Sequence, residues 1–368
     1  MPDAILRSFD DWLHTPVPYV CPDTRVELRR ATPADFNTIY GIVDAAFGSP
    51  TPPAVRDWLY RRNPLGPARC LLAIDRSSGR SIACHVTWPW PVARGTTPLP
   101  AGLSGDLAVT PDWRRQGLYL VLSAFRIAHP WSRQTIMLSW PTPLTRRAQR
   151  RRGVGEALLG ELPRRMLPLH VADDLARRGV PRWLAIGADR ALAATLRGWQ
   201  RVWPRGDVVA AVREVRRFDT AFDDLVQRAN RWDGFWCPHS AAFLNWRYLD
   251  HPMHTYVALA AEHRGDLAGC LVVRVEQRRA LLMEMLVPPE MPRVTATLLQ
   301  HAIQLARDAG CTRFDALAAP RWPHWPVLRR AGFVRRPSKL FMYAGEAHEP
   351  DICHFDRWQI SPGDVDNL

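Results

Sequence analysis

The residues best placed to do chemistry lie between Leu103 and Arg126, LSGDLAVTPDWRRQGLYLVLSAFR. Apolar residues Leu107 and Val109 alternate as in a strand, Pro111-Asp112 predicts a turn, and the apolar run from Leu118 predicts a helix. Arg114-Arg115-Gln116-Gly117 therefore brings two guanidinium groups to a helix N-terminus. First-turn amides find no acceptor inside their own helix, and the macrodipole adds about half a positive charge there. Gly117 permits a left-handed backbone and close approach of a ligand. Guanidinium forks match phosphate oxygens, so the stretch predicts an anion site.

A second candidate is His85, in CHVTWPWP on a predicted strand Ile82–Trp88. An unperturbed imidazole titrates near pH ~6.5 and can act as a base. His251 and His254, separated by Pro252 and Met253, form no recognised metal set. The sequence holds no Gly-x-Ser-x-Gly, Walker loop, zinc pattern or dinucleotide fingerprint, so no metal site is expected.

The elements that must position these groups can be read around them. Val26–Arg30 alternates as a strand, and Thr32-Pro33-Ala34-Asp35 starts a helix burying Phe36, Ile39, Ile42, Val43 and Phe47. A helix Val55–Arg62 follows, then strands Cys70–Ile74 and Ile82–Trp88 around the turn Ser77-Ser78-Gly79-Arg80. After the anion loop come a strand Thr135–Trp140 and a basic helix ending at Arg152-Gly153. At 368 residues, 47% hydrophobic and 23% charged, the chain has the composition of a globular protein with room for two cores. No apolar run approaches the ~20 residues of a membrane helix, and MPDAILRSFDDWLH has no signal-peptide core. The seven cysteines are scattered without a Cys-x-x-Cys, which predicts reduced thiols and a cytoplasmic setting.

Strand, Arg-x-x-Gly loop and helix together resemble the GNAT superfamily of acyl-CoA-dependent acyltransferases. Arg114, Gly117 and the strand Asp106–Val109 match its signature, while Tyr119 stands where the family has a small residue. The resemblance implies an acetyl-CoA or other acyl-CoA donor, bound by Leu107, Ala108, Val109, Arg114, Arg115, Gln116, Gly117, Leu118 and Tyr119, with Thr142 and Thr145 touching its arm. It also implies a base near the start of the motif strand, Asp106, with Ser104 beside it and His85 as the alternative. The family's usual tyrosine acid has no counterpart in Trp140–Gly153, so the acid toward the thiolate stays unassigned.

The order of elements recurs in the second half. Pro64 and Pro252 are 252 − 64 = 188 apart, Gly79 and Gly265 are 186, Val109 and Val287 are 178, and Gly153 and Gly332 are 179. Such offsets indicate duplication, and the resemblance becomes one to tandem GNAT proteins. The expected fold class is α/β with mixed sheets, two GNAT-like domains each built on a mostly antiparallel twisted sheet flanked by helices. Residues 1–24 read as an irregular lead-in, 25–167 as the acyl-CoA-binding domain and 168–205 as a linker with short helices. Residues 206–345 read as the second domain and 346–368 as a tail. In the second half Pro288-Pro-Glu-Met-Pro-Arg-Val-Thr295 replaces the loop: it has no glycine, adds Glu290 and loses a donor at Pro292. Coenzyme A is expected in the first half alone, and Trp246 and Tyr248 read as core.

The net charge of +13 rests on arginine, with Lys339 as the one lysine. It suits a phosphorylated acceptor, an acidic carrier protein or nucleic acid. The leading expectation is an N-acyltransferase acting on a small-molecule amine, such as a nucleotide-linked amino sugar or natural-product amine. An acyl carrier protein is the alternative donor. An aminoacyl-tRNA-dependent transferase and a non-catalytic GNAT-like binding protein are the alternative functions.

Overall fold

The structure, a computed structural model, describes residues 9–132, 135–143, 145–146, 157–202, 211–230, 232–345 and 351–365. The predicted basic helix before Gly153 lies largely outside the described residues, as do residues 208–210 of a predicted strand Val208–Val215.

Two seven-stranded sheets carry the molecule. In spatial order the first runs Val26–Arg30, Arg69–Asp75, Ser81–Pro89, Ala101–Val109, Ile136–Ser139, Phe341–Gly345 and Ala157–Glu161. The second runs Ala211–Glu214, Tyr256–His263, Asp266–Glu276, Arg279–Leu286, Arg313–Leu317, Arg164–Pro168 and Val334–Arg336. In each sheet the fourth and fifth strands are parallel and the other neighbours antiparallel. Both sheets follow one plan, and each borrows its sixth strand from the other half of the chain. Phe341–Gly345 enters the first sheet and Arg164–Pro168 enters the second, so the sheets interleave segments that lie apart in sequence.

The borrowed strand in the second sheet is fastened by charge. Asp315 is fully buried, and Arg164 of the borrowed strand donates to it from Nε (3.0 Å) and Nη2 (2.8 Å). Arg279 Nε reaches its other oxygen at 2.6 Å and Arg313 approaches at 3.3 Å.

Helices cover the sheets where apolar spacing predicts them. Thr32 and Asp35 form a reciprocal cap ahead of Phe36–Phe47, which buries Phe36, Ile39, Ile42 and Val43. Helices Pro53–Arg61 and Leu118–Ala128 follow in the first half, and Pro292–Asp308 packs on the second sheet. Besides the strand exchange, several features depart from the sequence reading: Phe47, expected in the core, is exposed at the end of its helix. The lead-in contains a helix Phe9–His14, because Trp12 buries against His129 (ring centroids 6.1 Å). The linker's second helix is longer than expected, Arg182–Val202. The tail is built into the fold: Trp358–Gln359 joins Phe235–Trp236, Val92–Arg94 and Thr97–Leu99 in a four-stranded sheet. No helix among the described residues is long and apolar enough to cross a membrane.

Candidate functional site

The strand Ala101–Val109 is irregular at its centre. Its pairing with Ser81–Pro89 passes from Val86↔Gly105 to Cys84↔Ala108, so His85 alone opposes Asp106 and Leu107. This is a β-bulge, and Asp106 takes the left-handed backbone it needs (φ 41°). A bulge breaks the alternation of side chains, so Gly105 and Asp106 turn to one side. A Cβ on Gly105 would collide with the ring of Trp88, which stands edge-on to Tyr60 at 6.1 Å. On that same side Tyr60 Oη donates to Asp106 Oδ2 at 2.6 Å.

The surroundings of Asp106 favour a proton-accepting role. Burial raises its pKa, and the Tyr60 hydrogen bond and the nearby Arg56 guanidinium draw it part of the way back. Burial, reinforced by the Asp106 charge, holds the Tyr60 phenol well above the usual tyrosine range, so the ring stays a donor. Arg56 is paired with Asp44 and lies over the Tyr40 ring, 4.8 Å from its centroid. An ion pair therefore borders the carboxylate.

His85 and Ser104 lie elsewhere. His85 Nε2 and Ser104 Oγ share a 2.8 Å hydrogen bond, and His85 is only 3% exposed. Burial, with Arg126 nearby, pushes its pKa well below 6.5, so the ring is neutral. Its Nδ1 has no hydrogen-bond partner among the described residues. The structure thus joins Asp106 to Tyr60 and His85 to Ser104, as two separate pairs.

Beyond Val109 the chain makes the predicted turn, Pro111–Trp113, and enters the helix through Arg115 (φ 65°) and Gly117 (φ 83°). The N–H of Leu120 makes a bond back to Gly117 O at 2.9 Å, which leaves the Leu118 and Tyr119 amides ahead of the intrahelical ladder. Leu118 buries its side chain. Arg114, Arg115 and Gln116 are exposed. Arg114 Nη2 donates to Ala46 O (2.7 Å), and Gln116 is braced by Arg25 Nη2 (3.2 Å) and by the Asp112 carbonyl (3.3 Å).

An open strand edge connects this loop to Asp106. The motif strand pairs with Ile136–Ser139 only from Ala101↔Ile136 to Ser104↔Ser139. Past Ser104 the two parallel strands part, leaving the edge of Asp106, Leu107, Ala108 and Val109 open to a ligand. On the other arm, past Ser139, the exposed Thr142 and the half-buried Thr145 share a 3.0 Å hydrogen bond between their Oγ1 atoms.

The second half repeats this constellation. Tyr248 stands 248 − 60 = 188 after Tyr60, and Glu284 stands 284 − 106 = 178 after Asp106, the same offsets that mark the duplication. The strand Arg279–Leu286 carries a matching register shift, from Val272↔Glu284 to Val273↔Leu282. Tyr248 Oη donates to Glu284 Oε2 at 3.2 Å. Here the chain fills its own site. His239 bonds Glu284 through Nδ1 (2.5 Å) and Asp364 of the tail through Nε2 (2.9 Å). A Cβ on Gly363 would collide with the Tyr248 hydroxyl. None of residues 288–295 has a left-handed backbone, and Pro292 opens the helix without an N–H.

Tyr60 was not among the candidates read from sequence, since a tyrosine between Trp58 and Arg61 on an amphipathic helix looks like packing. The signal that could have found it is the repeat, which keeps a tyrosine and an acid at matching positions in both halves.

Residues 27–157 match the family model described as an acetyltransferase (GNAT) domain. No curated protein matches the sequence. Among solved structures, one similar chain is a probable N-acyltransferase from Enterococcus faecalis V583. It is 11% identical with a TM-score of 0.62, over 87% of this chain and 72% of that one. A GCN5-related N-acetyltransferase from Kribbella flavida is 17% identical with a TM-score of 0.57, over 87% and 71%. N-myristoyltransferase of Saccharomyces cerevisiae, solved with bound myristoyl-CoA, is 12% identical with a TM-score of 0.53, over 98% and 92%. At these identities the likeness is one of fold.

Proposed function

We propose, from the match of residues 27–157 to the acetyltransferase (GNAT) domain model, that the chain is an acyltransferase that moves an acyl group from a coenzyme A thioester to the amine of a small molecule. The observation that carries this reading is the Tyr60–Asp106 pair at the bulge of a strand whose open edge leads to the Gly117 loop.

Each part has a task. The Gly117 turn, the Leu118 and Tyr119 amides and the exposed Arg115 would hold the donor's pyrophosphate, with Arg114 adding donors beyond the one it gives Ala46. The main chain of Leu107 to Val109 would bind the arm as an added strand binds a sheet edge. A thioester supplies the acyl group. Asp106, half-buried with a raised pKa, would take the proton of the incoming ammonium, directly or through water. Tyr60 would fix the rotamer of that carboxylate and keep it ionised by hydrogen bonding its charged form. The buried His85, bonded to the half-buried Ser104, would support the strand from behind. The Asp44–Arg56 pair borders the acceptor position and would select a polar amine, for instance a nucleotide-linked amino sugar.

The test is thiol release from acetyl-CoA against a panel of amino sugars, amino acids and polyamines, with Asp106→Asn in parallel. Turnover with one acceptor class, lost in the variant while acetyl-CoA still binds, supports the reading. Failure to bind any acyl-CoA removes it.

A further inference from the structure

We propose that Trp246, contributed by the second half, is a positioning residue for the Tyr60–Asp106 pair of the first. The inference rests on the assignment of Asp106 as the base.

Tyr60 sits on Pro53–Arg61, and the last carbonyls of any helix need donors from outside it. Asp57 O receives the Arg62 amide (3.2 Å) and Tyr60 O receives the Ala68 amide (2.9 Å). Trp58 O is satisfied across the molecule, by the indole N–H of Trp246 at 3.1 Å. The bond is returned: Trp58 Nε1 donates to Trp246 O at 2.7 Å. The two indoles stack 4.6 Å apart at 16°, and both are buried. Trp58 and Trp246 are themselves 188 residues apart, so each is the other's counterpart in the duplication. An exchange of identical bonds between equivalent residues is what a two-fold contact produces.

Trp246 is held as firmly as it holds. It lies in a π-helical turn, Asn245–Leu249, a geometry that recurs at functional sites. Its neighbour Arg247 donates to the tail carbonyls of Gly363 (3.1 Å) and Val365 (2.6 Å), and Tyr248 on its other side bonds Glu284. Trp90 packs edge-on at 6.3 Å. The end of the Tyr60 helix is thus anchored in the second half, whereas Asp106 belongs to the first sheet. The 2.6 Å bond between them survives only if that helix neither slides nor rotates. The retired site of the second half then has a use, as the clamp that sets the geometry of the working one.

Trp246→Phe keeps the stack and removes the donor. With acetyl-CoA and an accepting amine, we expect kcat to fall about tenfold, the size of one lost buried hydrogen bond. Acetyl-CoA affinity should stay within about twofold of wild type, because the donor loop is untouched. The acidic limb of the kcat–pH profile should move to higher pH, since Tyr60 holds the Asp106 pKa down. In a Tyr60→Phe background the same change should have little further effect. Trp58→Phe, which removes the returned bond, should reproduce these results and serves if Trp246→Phe does not fold. A melting point lowered with kcat and pH profile unmoved overturns the proposal, as does full multiplication of the Trp246 and Tyr60 effects. Asp106→Asn, run alongside, separates the two claims. Full activity there defeats the base assignment, whereas impaired Asp106→Asn beside fully active Trp246→Phe defeats only the positioning role.

Discussion

Tyr60 Oη lies 2.6 Å from Asp106 Oδ2, and its counterpart Tyr248 Oη lies 3.2 Å from Glu284 Oε2. One ancestral pair has had two fates. In the first half the carboxylate stays half-buried beside an open strand edge, and in the second it is sealed under the tail.

Asp106→Asn is expected to lower kcat by about 10²–10⁴, the usual yield of general-base catalysis, with acyl-CoA affinity retained. Tyr60→Phe should be milder. Losing a bond that lowers the Asp106 pKa moves the acidic limb of the kcat–pH profile upward. Steady-state kinetics over pH, with calorimetric titration of acetyl-CoA, distinguishes the two effects.

Gly117 holds φ 83°, a conformation that costs an L-residue ~1–2 kcal/mol. Gly117→Ala should lower stability by about 1 kcal/mol in urea unfolding. Gly117→Glu adds a negative charge at the helix N-terminus and should abolish acetyl-CoA binding in titration calorimetry. Retained binding would move the donor site away from this loop.

Asp315 pairs with Arg164, Arg279 and Arg313 where the borrowed strand enters the second sheet. Asp315→Ala should destabilise the protein by about 2 kcal/mol, since it removes the buried carboxylate that three partly exposed guanidinium groups share. Asp315→Asn should recover part of this. Chemical denaturation checks both, and a loss below ~1 kcal/mol would show that the arginines simply turn to solvent.

His239 gives the second half a pH dependence. Burial alone would lower its pKa, yet the charges of Glu284 and Asp364 override this and raise it to about 10. A histidine whose pKa rises on folding stabilises fully below its unfolded value, near ~6.5, and loses that contribution as pH climbs through the folded value. Stability should therefore decline between about pH 6.5 and 10. In His239→Gln the difference from wild type should shrink over that window. Unfolding measured at intervals of pH reads the slope directly.

Much of the fold was legible locally. Val26–Arg30 was read to the residue, because alternation is a local property. The duplication was legible from offsets alone. The strand exchange was not: FMYAG and RRMLP look like ordinary strand segments, and nothing local states which sheet they join. The turn into the Leu118 helix was legible because Arg114 to Gly117 stand consecutively and a left-handed glycine has a local reason to be there. The grouping of Asp106 with Tyr60, and of His85 with Ser104, depends on a bulge at a residue other than glycine. One extra residue in a strand changes which face its neighbours occupy, so adjacent candidates part company.

The reciprocal loan of strands has a consequence for how the molecule is made. The first sheet has all its other strands by Glu161, yet it stays incomplete until Phe341 onward is synthesised, 341 − 161 = 180 residues later. Neither half can mature on the ribosome while the other is missing, and the nascent amino-terminal portion must wait with two unsatisfied ladder edges, at Ile136–Ser139 and Ala157–Glu161. Having once traded strands, the duplicated halves can no longer be shuffled, separated or replaced as modules, and inherit one another as a single folding unit.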